Sequence, residues 1–214
     1  MINRQVLLLI VPIVFFVTLP PSECRAVTGL GIGARVGFIF DYDHPQLKKE
    51  KIEPKDLSMF GGQLTLLSIS KLSVELSGEY TYRDYRREIV SPFDGGIEAT
   101  TAIVTFKVRD YAAYATARYK LIEGNLGIHL GGGINAHRFT YGMNLPYKIP
   151  WLDDAVEIPG NGWHTGFHTL VGVSLGMPMM PFRAFGEVRL TKINVSGKAS
   201  QQAAIIGGLT FGAF

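Results

Sequence analysis

Ten side chains able to carry charge or a proton sit on the polar faces of alternating segments: Arg35, Glu75, Glu79, Arg83, Lys107, Arg118, His129, His168, Glu187 and Arg189. Gathered in one interior, such a set can do one of two things. It can pair into salt bridges, or it can hold and pass protons for a reaction. A space enclosed by about eight strands is just wide enough for side chains to fill. An unpaired ion buried there costs several kcal/mol, so the charges must pair and hydrogen-bond. Arg35, Glu75, Glu79, Arg118, Glu187 and Arg189 are therefore expected to form a polar network that plugs the interior. The functional alternative is a polar passage or gate, and the mixture of signs gives it no clear ion selectivity.

No catalytic, metal or cofactor set emerges. His164 and His168 lie on one strand face, yet four residues of strand hold them about 13 Å apart, too far to share an ion. His137 and His164 are placed to meet across the rim at the mouth of the long loop, without a third ligand. Cys24 is the only cysteine, and it falls in a segment expected to be removed, which excludes a disulfide scaffold and cysteine-based zinc sites. The run Gly29-Leu30-Gly31-Ile32-Gly33-Ala34 has the glycine spacing of a dinucleotide loop, but it lies inside an alternating segment with no helix behind it. No cofactor is expected.

The elements that position the charges are strands. Between Leu72 and Arg83 the chain alternates Leu72, Val74, Leu76, Tyr80 and Tyr82 against Ser73, Glu75, Ser77, Glu79, Thr81 and Arg83. Similar two-faced segments predict strands near 29–41, 58–69, 72–83, 100–121, 126–137, 164–177, 182–193 and from about 203 to Phe214. The Leu66-Leu67 doublet marks a bulge in the second. In the first, Gly31, Gly33, Arg35, Gly37 and Asp41 share the polar face. Links after the first, third, fifth and seventh strands read as long, and those between them as short. The longest, 141–163, is more apolar than a solvated loop requires. Its Tyr141, Tyr147 and Trp151 form a candidate contact surface, or else the loop folds back over the barrel mouth.

Residues 1–26 read as a cleaved secretory signal: Arg4, an apolar run from Val6 to Val17, then a polar tail with Cys24 and Ala26 at −3 and −1 of the cut. The remainder, 27–214, suits one domain. Losing Arg4, Arg25 and Glu23 leaves 19 basic against 17 acidic residues, a balance that does not point to nucleic acid. Charged residues are 18% of the chain, against about a quarter in soluble domains. The polar faces are also crowded with Gly and Ser. Both signs favour a barrel with its apolar face in lipid over a soluble barrel with that face inside.

Four stretches carry a family resemblance: Ala117 to Leu121 before a short turn, Leu126 to Ile134 with its glycines, Ala184 to Leu190 around Glu187-Val188-Arg189, and Gly208 to Phe214. In these the chain resembles the OmpA-like and OmpX-like small outer-membrane β-barrels. The resemblance implies an all-β fold, an eight-stranded antiparallel up-and-down transmembrane barrel. Back from Phe214, the alternate positions are Gly212, Thr210 and Gly208, so a bulge near Gly212 is needed if Phe214 is to share the lipid face with Phe211 and Leu209. The His-x-Ser element of lipid A deacylases is absent. The implied role is a non-enzymatic structural or surface-interaction protein of the Gram-negative outer membrane. The alternative is a narrow, OmpW-like channel or conduit for a small apolar compound. Implied partners are outer-membrane lipid and lipopolysaccharide, the barrel-assembly machinery during insertion, and an extracellular ligand or host surface.

Overall fold

The computed structural model describes residues 29–43, 57–90, 101–144, 161–176, 181–195 and 197–212. Residues 1–26, which the sequence leads one to expect as a signal, and Phe214 lie outside them. Eight strands run β1 Gly31–Asp43, β2 Leu57–Ile69, β3 Leu72–Val90, β4 Thr101–Ile122, β5 Leu126–Asn144, β6 Gly162–Gly176, β7 Phe182–Val195 and β8 Lys198–Gly212. Each pairs antiparallel with its chain neighbours, and β1 pairs with β8 to close the barrel. Closure leaves no free sheet edge around the shared wall, which is what allows strands to cross a membrane.

The alternation settles which way each residue faces. Ile32, Val36, Phe38, Leu130, Ile134, Val171, Leu190 and Ile205 are each more than 45% exposed, all on the outer wall. Arg35, Glu75, His129, Glu187 and Arg189 are nearly inaccessible in the lumen. Soluble monomers rarely expose an apolar patch beyond a few hundred Å², so a continuous apolar belt marks a lipid-facing surface. Aromatic clusters border it. Phe60, Tyr80, Tyr82 and Tyr111 pack with ring centroids 4.8–6.3 Å apart at the long-loop end. Tyr119 and the pair Phe182–Phe211, 6.0 Å apart, stand near the other.

Several details bear out or correct the sequence reading. The β2–β3 pairing shifts between Thr65 and Leu67, where the Leu66-Leu67 doublet predicts a bulge. A second shift, between Ile39 and Asp41, inserts Phe40 into β1. It turns Asp41 out and brings Tyr42 inward, beside Ile39, so Asp41 does not share the face of Arg35. The β1–β8 register runs unbroken from Ala204 to Gly212, so there is no bulge among the described residues up to Gly212; Phe211 and Leu209 face outward.

The link after β7 is short, not long. Pairing continues through Asn194↔Ala199 and Val195↔Lys198, and Gly197 takes φ 80°, a left-handed conformation that glycine adopts without strain. Asn194 to Gln202 reads as loop because it is polar, but Ser200 and Gln202 are polar lumen residues of a strand. Likewise β3 and β5 run past their predicted ends, to Val90 and to Asn144, where they flank the long β4, Thr101–Ile122, which matches its predicted span. They form a three-stranded arm beyond the β2 partner of Thr81. The eight steps of strand from Tyr82 to Val90 carry that arm about 25 Å along its own axis.

Candidate functional site

The lumen of the barrel is filled in layers. At its centre three arginines meet three glutamates. Arg35 reaches from β1 to Glu75 at 3.3 Å, Glu79 at 3.3 Å and Glu187 at 3.1 Å. Arg118 on β4 pairs with Glu75 at 2.8 Å and Glu187 at 2.6 Å. Arg189 on β7 holds Glu79 with both terminal nitrogens, each donating at 2.6 Å, the two-pronged geometry that suits guanidinium to carboxylate. His129 Nε2 donates to Glu187 Oε1 at 3.0 Å. The structure thus brings together all six of Arg35, Glu75, Glu79, Arg118, Glu187 and Arg189, from four strands on different sides of the barrel. Their formal charges cancel.

The spacing of these residues explains the convergence. Glu75 and Glu79 lie four apart on β3 and Glu187 and Arg189 two apart on β7, so each pair shares the inward face. Gly61 and Gly208 flank Arg35 in register. Small neighbours leave the middle of the lumen to long side chains. Gly172 is the clearest case: a Cβ there would lie 2.6 Å from His129 Nε2 and 2.8 Å from Glu187 Cγ, so any larger residue displaces the network.

Two aromatics frame the charges. The Arg189 guanidinium stacks over Tyr114 at 3.9 Å, and Arg35 and Arg118 sit 5.9 and 5.8 Å from the Phe185 ring. Neither ring figures among the sequence candidates. Parity alone would have found them, since Tyr114 shares a face with Arg118, and Phe185 with Glu187.

Above the charges, His137 Nδ1 donates to Asp110 Oδ2 at 2.8 Å, and the Tyr114 hydroxyl lies 3.3 Å from His137 Nε2. His168 Nε2 and Thr116 Oγ1 share a hydrogen bond of 2.9 Å. His137 and His164 are cross-strand partners, and the His164 ring lies 5.6 Å from that of Phe139. Among the described residues no three His, Cys, Asp or Glu side chains gather as metal ligands.

Higher still the lumen is apolar. Ile39, Tyr42, Leu57, Met59, Val104, Phe106, Val108, Phe139, Tyr141, Ile193 and Val195 form one buried cluster. Tyr141 therefore does not lie on a loop surface: it is an inward residue of β5, its ring 6.1 Å from that of Phe139. Tyr147 and Trp151 fall outside the described residues. Lys107 is also corrected. The pairing of β4 is regular from Thr101 to Lys120, so Lys107, eleven positions from Arg118, faces outward opposite Asp84. Below the network, at the short-turn end, Ser68, Ser73, Lys120, Ser174, Arg183 and Thr210 line a small open vestibule of about 70 Å³.

No family model matches the chain, and no curated protein sequence matches it. Solved structures do match in shape. Neisserial surface protein A is 12% identical with a TM-score of 0.52, over 87% of this chain and 99% of that one. Ail, the attachment invasion locus protein of Yersinia pestis, solved with the heparin analogue sucrose octasulfate, is 8% identical with a TM-score of 0.49, over 85% and 97%. The outer membrane protease OmpT of Escherichia coli is 10% identical with a TM-score of 0.41, over 89% and 99%. At such identities the likeness shows the fold alone, and that fold is the one small eight-stranded outer-membrane barrels use.

Proposed function

We propose that this chain is a non-enzymatic bacterial outer-membrane barrel with a closed lumen, acting as a structural or surface-interaction protein. One observation carries the reading: Arg35, bound to three glutamates from two strands, ties a charge-balanced layer across the lumen, and an apolar cluster packs over it. The mature barrel, 27–214, follows export and removal of residues 1–26 and is inserted by the barrel-assembly machinery. Outer-membrane lipid and lipopolysaccharide surround its belt. The β3–β4–β5 arm supports an interaction role, because it stands beyond the belt as paired strand and turns Asp84, Arg86 and Glu88 outward. An extracellular ligand or a host surface is the class of partner such an arm would meet.

The Asp110–His137–Tyr114 row has the order of a catalytic relay, yet its hydroxyl and imidazole are 3% and 0% exposed, so a substrate has no approach to it. A conduit for a small apolar compound is the second reading. The apolar upper lumen favours it, while the Arg–Glu layer beneath stands across its path.

Solute efflux tests the closed lumen. Vesicles holding the refolded, heat-modifiable protein should release a small trapped sugar no faster than empty vesicles. Release that rises in proportion to the protein incorporated would reverse the preference in favour of the conduit.

A further inference from the structure

The outer wall carries a feature that the lumen does not explain. Reading up from the short-turn end, the outward residues of β4 are Tyr119, Ala117, Ala115, Ala113 and Tyr111, and then Arg109. Those of β5 are Leu130, Gly132, Ile134 and Ala136, and then Arg138. On both strands the apolar row ends on an arginine. Ten residues of strand separate Tyr119 from Arg109. At the tilt usual in barrels that is about 25 Å of height, the thickness of the apolar band.

Arg109 is the register partner of Thr140, and Arg138 that of Tyr111. The two arginines are therefore diagonal neighbours on adjacent strands, about 7–8 Å apart at the backbone. Trp163 is the partner of Arg138 on the next strand, its ring 6.0 Å from the guanidinium and 64% exposed. Tyr82 lies opposite Arg109 on the other side. Among the described residues no carboxylate pairs with either arginine. The nearest outward acid on β3, Asp84, lies a row higher, opposite Lys107.

Two unpaired guanidinium groups at the edge of hydrocarbon need an anion, and each offers a fork of donors that fits phosphate oxygens. The anion that stands at that height against the wall of a membrane barrel belongs to a lipid headgroup. We propose that Arg109 and Arg138, flanked by Trp163 and Tyr82, form a docking site for the phosphate of a phosphorylated glycolipid in the outer leaflet. The site rests on the membrane-spanning reading above, and names the lipid contact of that barrel.

The test uses the full mature chain refolded in detergent, with diphosphorylated lipid A and its chemically dephosphorylated form as probes, read by native mass spectrometry. The wild type should prefer the phosphorylated probe by about tenfold or more, as charge-assisted forks on phosphate imply. The R109Q/R138Q variant should lose that preference, while K71Q, which removes a cation at the short-turn end, should keep it. All three should migrate as heat-modifiable barrels, because the substituted side chains are exposed. Equal binding of the two probes by the wild type, or a preference undiminished in R109Q/R138Q, would overturn the site while leaving the membrane barrel standing. Displacement of the lipid by an equal concentration of inorganic phosphate would overturn it too, since the site would then recognise the free ion. Failure of the refolded wild type to enter vesicles of any composition would overturn both the site and the membrane reading.

Discussion

Replacing Arg35 with alanine should cost the folded barrel about 3–5 kcal/mol, the range for removing one partner from a buried ion-pair network. Arg35 touches all three network glutamates. Without it Arg118 and Arg189 face three carboxylates, and one negative charge is left without its counter-charge among side chains that are almost all buried. Urea unfolding in lipid vesicles reads the loss as a lower midpoint at unchanged slope. Arg35→Lys should fall between the wild type and alanine. An ammonium keeps the charge but lacks the planar fork that serves several carboxylates at once. A loss below about 1 kcal/mol for Arg35→Ala would mean that the layer is hydrated and that its pairs behave as surface pairs do.

The second large effect is a recovery. Glu79 and Arg189 are both nearly inaccessible and hold each other through two bonds of 2.6 Å. Either one changed to methionine strands a buried charge and should destabilise by about 3–5 kcal/mol. Changing both removes a matched pair, leaving Arg35 and Arg118 against Glu75 and Glu187, still balanced. The double variant should regain much of the loss, because a buried ion pair and a well-packed apolar replacement are often close in stability. The interaction energy from the double-mutant cycle should reach about 2–3 kcal/mol. Simple additivity of the two losses would show that the residues do not act as a pair, despite the geometry.

Much of this network is legible in the chain, because a strand turns every second residue inward and the middle of the lumen is polar. There, polarity and direction agree, so Arg35, Glu75, Glu79, Arg118, Glu187 and Arg189 can be placed without a structure. Where the lumen turns apolar the agreement ends. On the upper part of β4, Val104, Phe106 and Val108 face inward while Lys107 and Arg109 face out, the reverse of the pattern lower down. Reading polarity as direction there puts Lys107 inside and leaves Tyr141 on a loop. The bulge at Phe40 has the same effect at closer range, since one inserted residue exchanges the faces of Asp41 and Tyr42. The short β7–β8 hairpin is missed for a related reason. Polar residues that line a lumen have the composition of a loop, and only their pairing tells them apart.

The closed lumen is the centre of this account, and single-channel recording in a planar bilayer tests it most directly. Heat-modifiable gel migration should accompany the recording as the check that the protein has folded. A folded wild-type barrel should insert and stay silent at moderate voltage, with the Arg–Glu layer and the apolar cluster above it both in place. Discrete, reproducible openings of the wild type would contradict the account, and would make the same six charged residues the lining of a gate instead of a plug.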